Sequence, residues 1–275
     1  MGWSPQSFHL RYVGKCLIKM AYILNDPLIF NIKEHSVLNG DEDMILDPYD
    51  IYCLNIDNIQ PSKGDFLAVR WLLSNYESFM YDTELTQDAA SIGNLEALKY
   101  LHEKGCPWNE ETCYWAARNG HLDCLRYAHM QGCPCDEWTC SLASRYGHLD
   151  CLIYLHEEHC PWDIQTCSYA ALYGNLDCLR YAHVQGCPWN WKTCLHAAGN
   201  GHLDCLRYAH EEGCPWNEWI CYGAAQNGHL DCLIYAYEHG CPWNSLYCEH
   251  VESIGHLDIL HYLKDKKLCN LSYTI

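Results

Sequence analysis

Positive charge is scarce in this chain: 17 lysines and arginines stand against 35 aspartates and glutamates, a formal balance of −18 over 275 residues. Nucleic acids and anionic membranes are held by basic faces that displace counterions, so this balance argues against both and favours a neutral or basic partner. No run of about 20 apolar residues occurs, which argues against a membrane-spanning helix. A secretory leader is not expected either: Met1 to Gln6 carries no basic residue, and Lys15 and Lys19 interrupt the stretch from Tyr12 to Leu24. Gly2 is not followed by the Ser or Thr at position 6 that myristoylation uses, since Gln6 stands there. Phosphate loops, nucleophile elbows and paired-carboxylate motifs are missing. So is any Cys-x-x-Cys pair, the usual nucleus of a structural zinc site.

What the chain does have is a period. Gly93, Gly120, Gly147, Gly174, Gly201, Gly228 and Gly255 recur every 27 residues, and a Cys-Pro pair follows thirteen residues after each of the first six. A fixed period across most of a chain marks a solenoid, whose units bury their apolar faces only against neighbours.

One unit shows why it must be a helical hairpin. Asn109 is a good helix N-cap, and Asp82, Asp136, Asp163, Asn190, Asn217 and Asn244 stand at the same place. Cys113, Ala116 and Ala117 then fall at i, i+3 and i+4, one small-residue face that lets a neighbouring helix come close. Gly120 ends this helix and Leu122, Cys124, Leu125 and Ala128 form the apolar face of a second, with Asp123 in its first turn. Gly132 caps the second helix and Pro134 prevents continuation. The connections are too short for strands, so the expected fold is all-α, a stack of antiparallel hairpins. The link tryptophans Trp108, Trp162, Trp189, Trp216 and Trp243, with Cys135 as the exception, are expected to cover the seams between hairpins.

Twenty-one cysteines suggest a disulfide framework, but such frameworks belong to short secreted chains. Here the cysteines recur at helical positions, successively 7, 11 and 9 residues apart, and are expected to be reduced thiols packed as small hydrophobes. That reading points to the cytoplasm, with the nucleus as the other compartment. Cys133-Pro134-Cys135 is the one close pair. Since Cys, His and Asp occur as repeated scaffold elements, no catalytic, cofactor-binding or metal-binding residue is expected.

The segment Gly120-His121-Leu122-Asp123-Cys124-Leu125-Arg126-Tyr127, together with Ala116-Ala117, resembles the ankyrin repeat over about residues 82–267. The unit is six residues shorter than the family's usual 33. Glu111-Thr112-Cys113-Tyr114 replaces the usual Thr-Pro-Leu-His, and Cys-Pro-Trp-Asn replaces the β-hairpin loop. This short variety is similar to ankyrin-like proteins of large DNA viruses and of some algae and oomycetes. The resemblance implies an ankyrin-like helical-hairpin solenoid with little or no β-hairpin. It also implies a non-catalytic scaffold for a protein partner, acting on host factors in the host cytoplasm if viral. His121, His148, His202, His229 and His256 match a family position where imidazole bonds backbone between units, whereas His102, His129, His156, His183 and His210 fall near the exposed end of the second helix.

Family members commonly bind through hairpin fingers and the first-helix face; with the fingers nearly gone, the first helices remain. One past the cap the chain reads Glu110, Glu137, Ile164, Trp191, Glu218, Ser245; two past it, Glu111, Trp138, Gln165, Lys192, Trp219, Leu246; five past it, Tyr114, Ser141, Ser168, Leu195, Tyr222, Glu249. Variation rich in aromatics against a constant core marks a contact surface, with drift at unconstrained positions as the alternative. The expected partner-binding residues are Glu110, Glu111, Tyr114, Trp138, Trp191, Trp219 and Tyr222. A metal- or redox-active cysteine-rich protein and a self-assembling structural component are the competing classes, against an expected monomer.

The expected domains are an N-terminal helical segment over 1–44, a divergent capping repeat over 45–80, seven repeats over 81–267 and a tail over 268–275. Gly64 to Leu73 fits the second helix of a unit, and Asp47-Pro48 fits the cap of its partner. Residues 1–44 contain no Leu-Pro signature of an F-box-like segment, and a degenerate helical cap is expected there. At the other end Leu268 and Asn270 replace the link Cys and Trp, and Lys264, Lys266 and Lys267 make the surface polar.

Overall fold

A computed structural model describes residues 83–269. The expected segment 1–44, the capping repeat 45–80, Asp82 and the tail beyond Cys269 lie outside the described residues. Among the described residues there are fourteen α-helices and no strand. They alternate as first and second helices of seven pairs: α1 (Thr83–Ser91) with α2 (Leu95–Glu103), α3 (Glu110–Arg118) with α4 (Leu122–Met130), α5 (Glu137–Arg145) with α6 (Leu149–Glu157), and α7 (Ile164–Leu172) with α8 (Leu176–Val184). The series continues with α9 (Trp191–Gly199) and α10 (Leu203–Glu211), α11 (Glu218–Gln226) and α12 (Leu230–Glu238), and α13 (Cys248–Ile254) and α14 (Leu257–Asp265).

The chain divides into two compact units, Met1–Thr112 and Cys113–Ile275. In the first, buried Thr86 donates or accepts at Thr112 (3.3 Å) and donates to the Pro107 carbonyl (3.1 Å), while Gln87 Nε2 donates to Asn109 Oδ1 (3.1 Å). In the second, α5, α7, α9, α11 and α13 pack in one layer and α4, α6, α8, α10 and α12 in another.

Side-chain caps start the first helices. Asp136 Oδ1 accepts from the amides of Trp138 and Thr139 in a capping box, and Asp163, Asn190, Asn217 and Asn244 each accept from the amide two residues on at 2.9–3.1 Å. The last pair differs: a 3₁₀ turn over Ser245–Tyr247 precedes α13. The layers close because Cys113, Ala116, Ala117 and their counterparts Cys140, Ala143, Cys167, Ala170, Ala171, Cys194, Ala197 and Ala198 are fully buried, as are Leu125, Leu152, Leu179, Leu206 and Leu233 on the second helices.

Register between pairs is set at the repeat glycine. Gly120 has φ +73°, and a Cβ there would lie 2.5 Å from Nδ1 of His148 in the next pair. Both the backbone angle and the close approach therefore call for glycine. The same imidazole donates through Nε2 to the Arg118 carbonyl (3.0 Å); His202 repeats this at Leu172 (3.1 Å), and Asn175 donates to the Ser144 and Arg145 carbonyls instead. The second helices end in a left-handed residue, glycine in five cases but His159 (φ +60°) after α6 and Lys267 (φ +57°) after α14.

The cysteines require a correction. Fifteen of the described ones are free and buried, but Cys135 is bonded to Cys160 and Cys248 to Cys269. Both bridges form where the repeat is broken. Cys135 stands in a tryptophan position. At the C-terminal end Leu268 replaces the link cysteine, and Cys269, the next residue, reaches Cys248. Several of the free thiols are held in the protonated form. Burial pushes Cys140, Cys151, Cys178 and Cys205 from 9.0 up to about 12 and Cys232 to about 11, the preceding aspartate adding to the effect at the last four.

The folded chain thus holds these protons to higher pH than the unfolded chain does. The resulting stability is complete below 9.0 and lost as pH climbs from there toward about 12. Each thiol contributes a slope of up to about 1.4 kcal/mol per pH unit in that window. Thermal melts over a pH series should be level on the neutral side and drop steeply above pH 9; a flat alkaline limb would contradict the burial of these groups. A second expected outcome concerns His159. Replacing this left-handed residue by glycine, His159→Gly, should raise stability by about 0.5–1 kcal/mol in denaturant unfolding.

Candidate functional site

The variable positions lie at the start of the first helices, where the cap residue fixes how the first turn leaves the link. Glu110 and Glu111 are exposed on the first turn of α3. Trp219 is 45% exposed, Trp138 and Trp191 are half-buried, and Leu246, two past its cap, is 82% exposed. Trp138 meets the edge of Tyr169 at 5.8 Å. Around Trp219 the aromatics converge: Tyr222 and Tyr247 lie 5.8 and 5.7 Å away, Tyr222 and Tyr247 are 4.3 Å apart, and the Tyr222 hydroxyl bonds His250 Nδ1 at 2.7 Å. Four of the expected residues are thus spread over α5, α9 and α11, and only around Trp219 do they form a cluster.

The column five past the cap is not uniformly outward. Ser141 and Ser168 are buried, Ser141 sharing a hydrogen bond with Thr166 of the adjacent first helix at 3.3 Å. Tyr114 and Tyr222 are half-buried, and the Tyr114 hydroxyl donates to Asp136 Oδ2 at 2.5 Å, tying α3 to the cap of α5. This column faces sideways, toward the neighbouring first helix, so residue size there reports spacing between helices as well as contact with a partner.

Two sets escaped the sequence reading. On the C-terminal ends of the first helices, Arg118 lies over Trp115 and Tyr146 (4.8 and 5.1 Å), and Arg145 over Tyr146 and Tyr173 (5.4 and 4.8 Å), donating to the Tyr173 hydroxyl at 2.6 Å. Tyr146 and Tyr173 are 38% and 43% exposed. Their signal is the residue before the repeat glycine, which changes between Asn, Tyr and Ile along the array.

The second set is the seam. His156, His183 and His210 stack on Trp162, Trp189 and Trp216 at 4.3, 3.7 and 3.8 Å, as His102 does on Trp108 at 4.0 Å. In each of the first three the histidine Nδ1 bonds the hydroxyl of the tyrosine one pair on (Tyr181, Tyr208, Tyr235) at 2.9 Å. The histidines at the end of the second helix are therefore half-buried bracket residues, and the tryptophans cover the seam by clasping them. His129 keeps the bond to Tyr154 (3.1 Å) but faces Cys135 where a tryptophan would stack, and its Nε2 lies 3.8 Å from Cys160 Sγ.

The comparisons agree with this architecture. A family model described as "Ankyrin repeats (3 copies)" matches residues 85–166. Residues 85–166 carry ankyrin repeats. The crystal structure of the human ASB11 ankyrin repeat domain superposes with a TM-score of 0.51 at 17% sequence identity, covering 57% of this chain and 84% of that chain, a likeness of fold. No curated protein matches the chain. Ankyrin repeats generally mediate protein–protein interaction and typically act as non-enzymatic scaffolds. No helix among the described residues is long and apolar enough to cross a membrane.

Each tryptophan clasp combines a stacked imidazole with partial burial. Removing one by Trp189→Ala should cost about 1–3 kcal/mol in denaturant unfolding, less than the loss of a fully buried ring because Trp189 keeps one edge in solvent. A loss near zero would show that the clasp contributes nothing to the seam.

Proposed function

We propose that the chain is a non-catalytic scaffold that captures a protein partner on the first turns of its first helices, centred on Trp219. The observation that carries this reading is the cluster of Trp219, Tyr222 and Tyr247 beside exposed Leu246. Large apolar side chains at positions free to vary, held in place by neighbouring rings, are the usual anchors of protein recognition. Trp138 and Trp191 extend the same level of the array, Tyr114 supports it from α3, and Glu110 and Glu111 give α3 an acidic first turn. With a charge of −18 the partner is neutral or basic. The short Cys-Pro-Trp unit, similar to repeats of large DNA viruses, makes host proteins the first candidates to test, and the chain acts as a monomer.

The test is affinity capture with the full chain as bait, followed by binding measurements on the recovered protein. Trp219→Ala with Leu246→Ala should weaken binding by about 2 kcal/mol or more, roughly 30-fold, while the melting temperature changes little. Unchanged binding by the double variant, with a full-strength interaction lost instead on Tyr173→Ala, would move the surface to the arginine–tyrosine ladder.

A further inference from the structure

The seam offers its own internal control. In the regular pairs three groups meet there: a histidine, the tyrosine that bonds its Nδ1, and the tryptophan that covers the ring. At one seam the tryptophan is Cys135, and three ligand-type atoms come together instead. Those of His129, Cys135 and Cys160 all lie within 4.8 Å of one another. Cys160 is 6% exposed; His129 and Cys135 are half-buried, leaving a path to solvent. The Cα atoms of the two cysteines are 6.1 Å apart.

We propose that, when Cys135 and Cys160 are reduced, their thiolates and His129 Nε2 bind one Zn2+ ion, and that closing the Cys135–Cys160 disulfide shuts the site. Tetrahedral zinc at its usual bond lengths separates two sulfurs by about 3.8 Å and a sulfur from a nitrogen by about 3.5 Å. The Nε2–Cys160 distance of 3.8 Å already approaches the second value. The sulfurs need only part from bonding distance, which side-chain rotation of Cys135 at its half-exposed link provides. With Nδ1–H donating to the Tyr154 hydroxyl, Nε2 presents its lone pair to the sulfurs, the outer-shell arrangement that orients metal-bound histidines. Tyr154 is itself held: it is 4% exposed, and Arg126 lies over its ring at 4.8 Å. Two thiolates and a neutral imidazole leave the zinc site uncharged, which suits its partial burial, and this donor set favours zinc over the harder Mg2+ and Ca2+. A fourth position remains for water or another ligand.

Opening and filling the site balance as two steps. Two molecules of a low-molecular-weight thiol reduce the disulfide, giving two protein thiols and one small-molecule disulfide. Zn2+ then displaces the two thiol protons, which leave to solvent.

The experiment uses the full chain, reduced, freed of metal and of small thiols under anaerobic conditions, with Co2+ as the spectroscopic probe and Zn2+ as competitor. One equivalent of Co2+ should give thiolate-to-cobalt charge transfer and tetrahedral visible bands, abolished by one equivalent of Zn2+. The oxidised chain should give neither. Cys135→Trp installs the residue of the other seams, so it should fold, stack on His129 and lose the signal; Cys135→Ser removes the same ligand with minimal change in size. Tyr154→Phe should keep the thiolate band but weaken binding about 10–100-fold. Absence of stoichiometric Co2+ binding to the reduced chain would overturn the proposal. So would an undiminished signal from folded Cys135→Trp, which would assign it to the core thiols, or equal binding by the oxidised chain, which would remove the gate.

Discussion

Within the larger unit, each pair of helices from α5 and α6 onward meets the one before at a short contact, the imidazole or amide laid against a bare glycine Cα. A side chain on Gly120, Gly174 or Gly201 would drive the next ring away. With the ring in place, its far nitrogen reaches a carbonyl at the end of the preceding first helix, satisfying one of the acceptors that a helix terminus leaves open. With that contact in place adjacent first helices stand close, and their buried faces are mainly alanine, cysteine, serine and threonine, with Leu142, Ile220 and Val251 as larger members. The residues of the cysteine-rich core thus follow from a spacing set at the loops.

Much of this could be read in the sequence. Glycine spacing gave the unit, cap residues gave the starts of first helices, and the Ala-Ala pairs gave their buried face. Local chemistry acts on neighbours along the chain, and a repeat prints it again every 27 residues. Groups that meet across units were harder to see. His129 and Cys160 are 31 residues apart, and nothing at either position departs from the repeat. The one visible anomaly was Cys135, and its meaning depends on which side chains its neighbours have already placed around it. The outward reading of the Ser141 and Ser168 column failed for a related reason: a helix periodicity fixes which residues share a face, but only the packing of the next helix decides whether that face is solvent.

The aromatic positions divide by how strictly they repeat. Four link tryptophans, Trp108, Trp162, Trp189 and Trp216, recur with the same histidine beneath them, while Trp243 follows Tyr237 at that position. Tryptophans in the first turns differ from pair to pair because no neighbour dictates them, and that freedom is what a binding surface needs. One residue type thus holds the stack together at one position and is available for recognition at another, three residues further on or fewer.

A linear array unfolds as a chain of nearest-neighbour couplings, and its cooperativity is limited by the weakest of them. At the Cys135 seam the tryptophan clasp has been exchanged for a covalent bond that closes a loop of 25 residues in sequence, an effect on the order of 3 kcal/mol. While that bond stands, the links before α5 and after α6 stay joined even when the helices between them open. Once it is cut, the same place becomes the fault line, and the array can part into two folding segments that answer separately to heat, force or proteases.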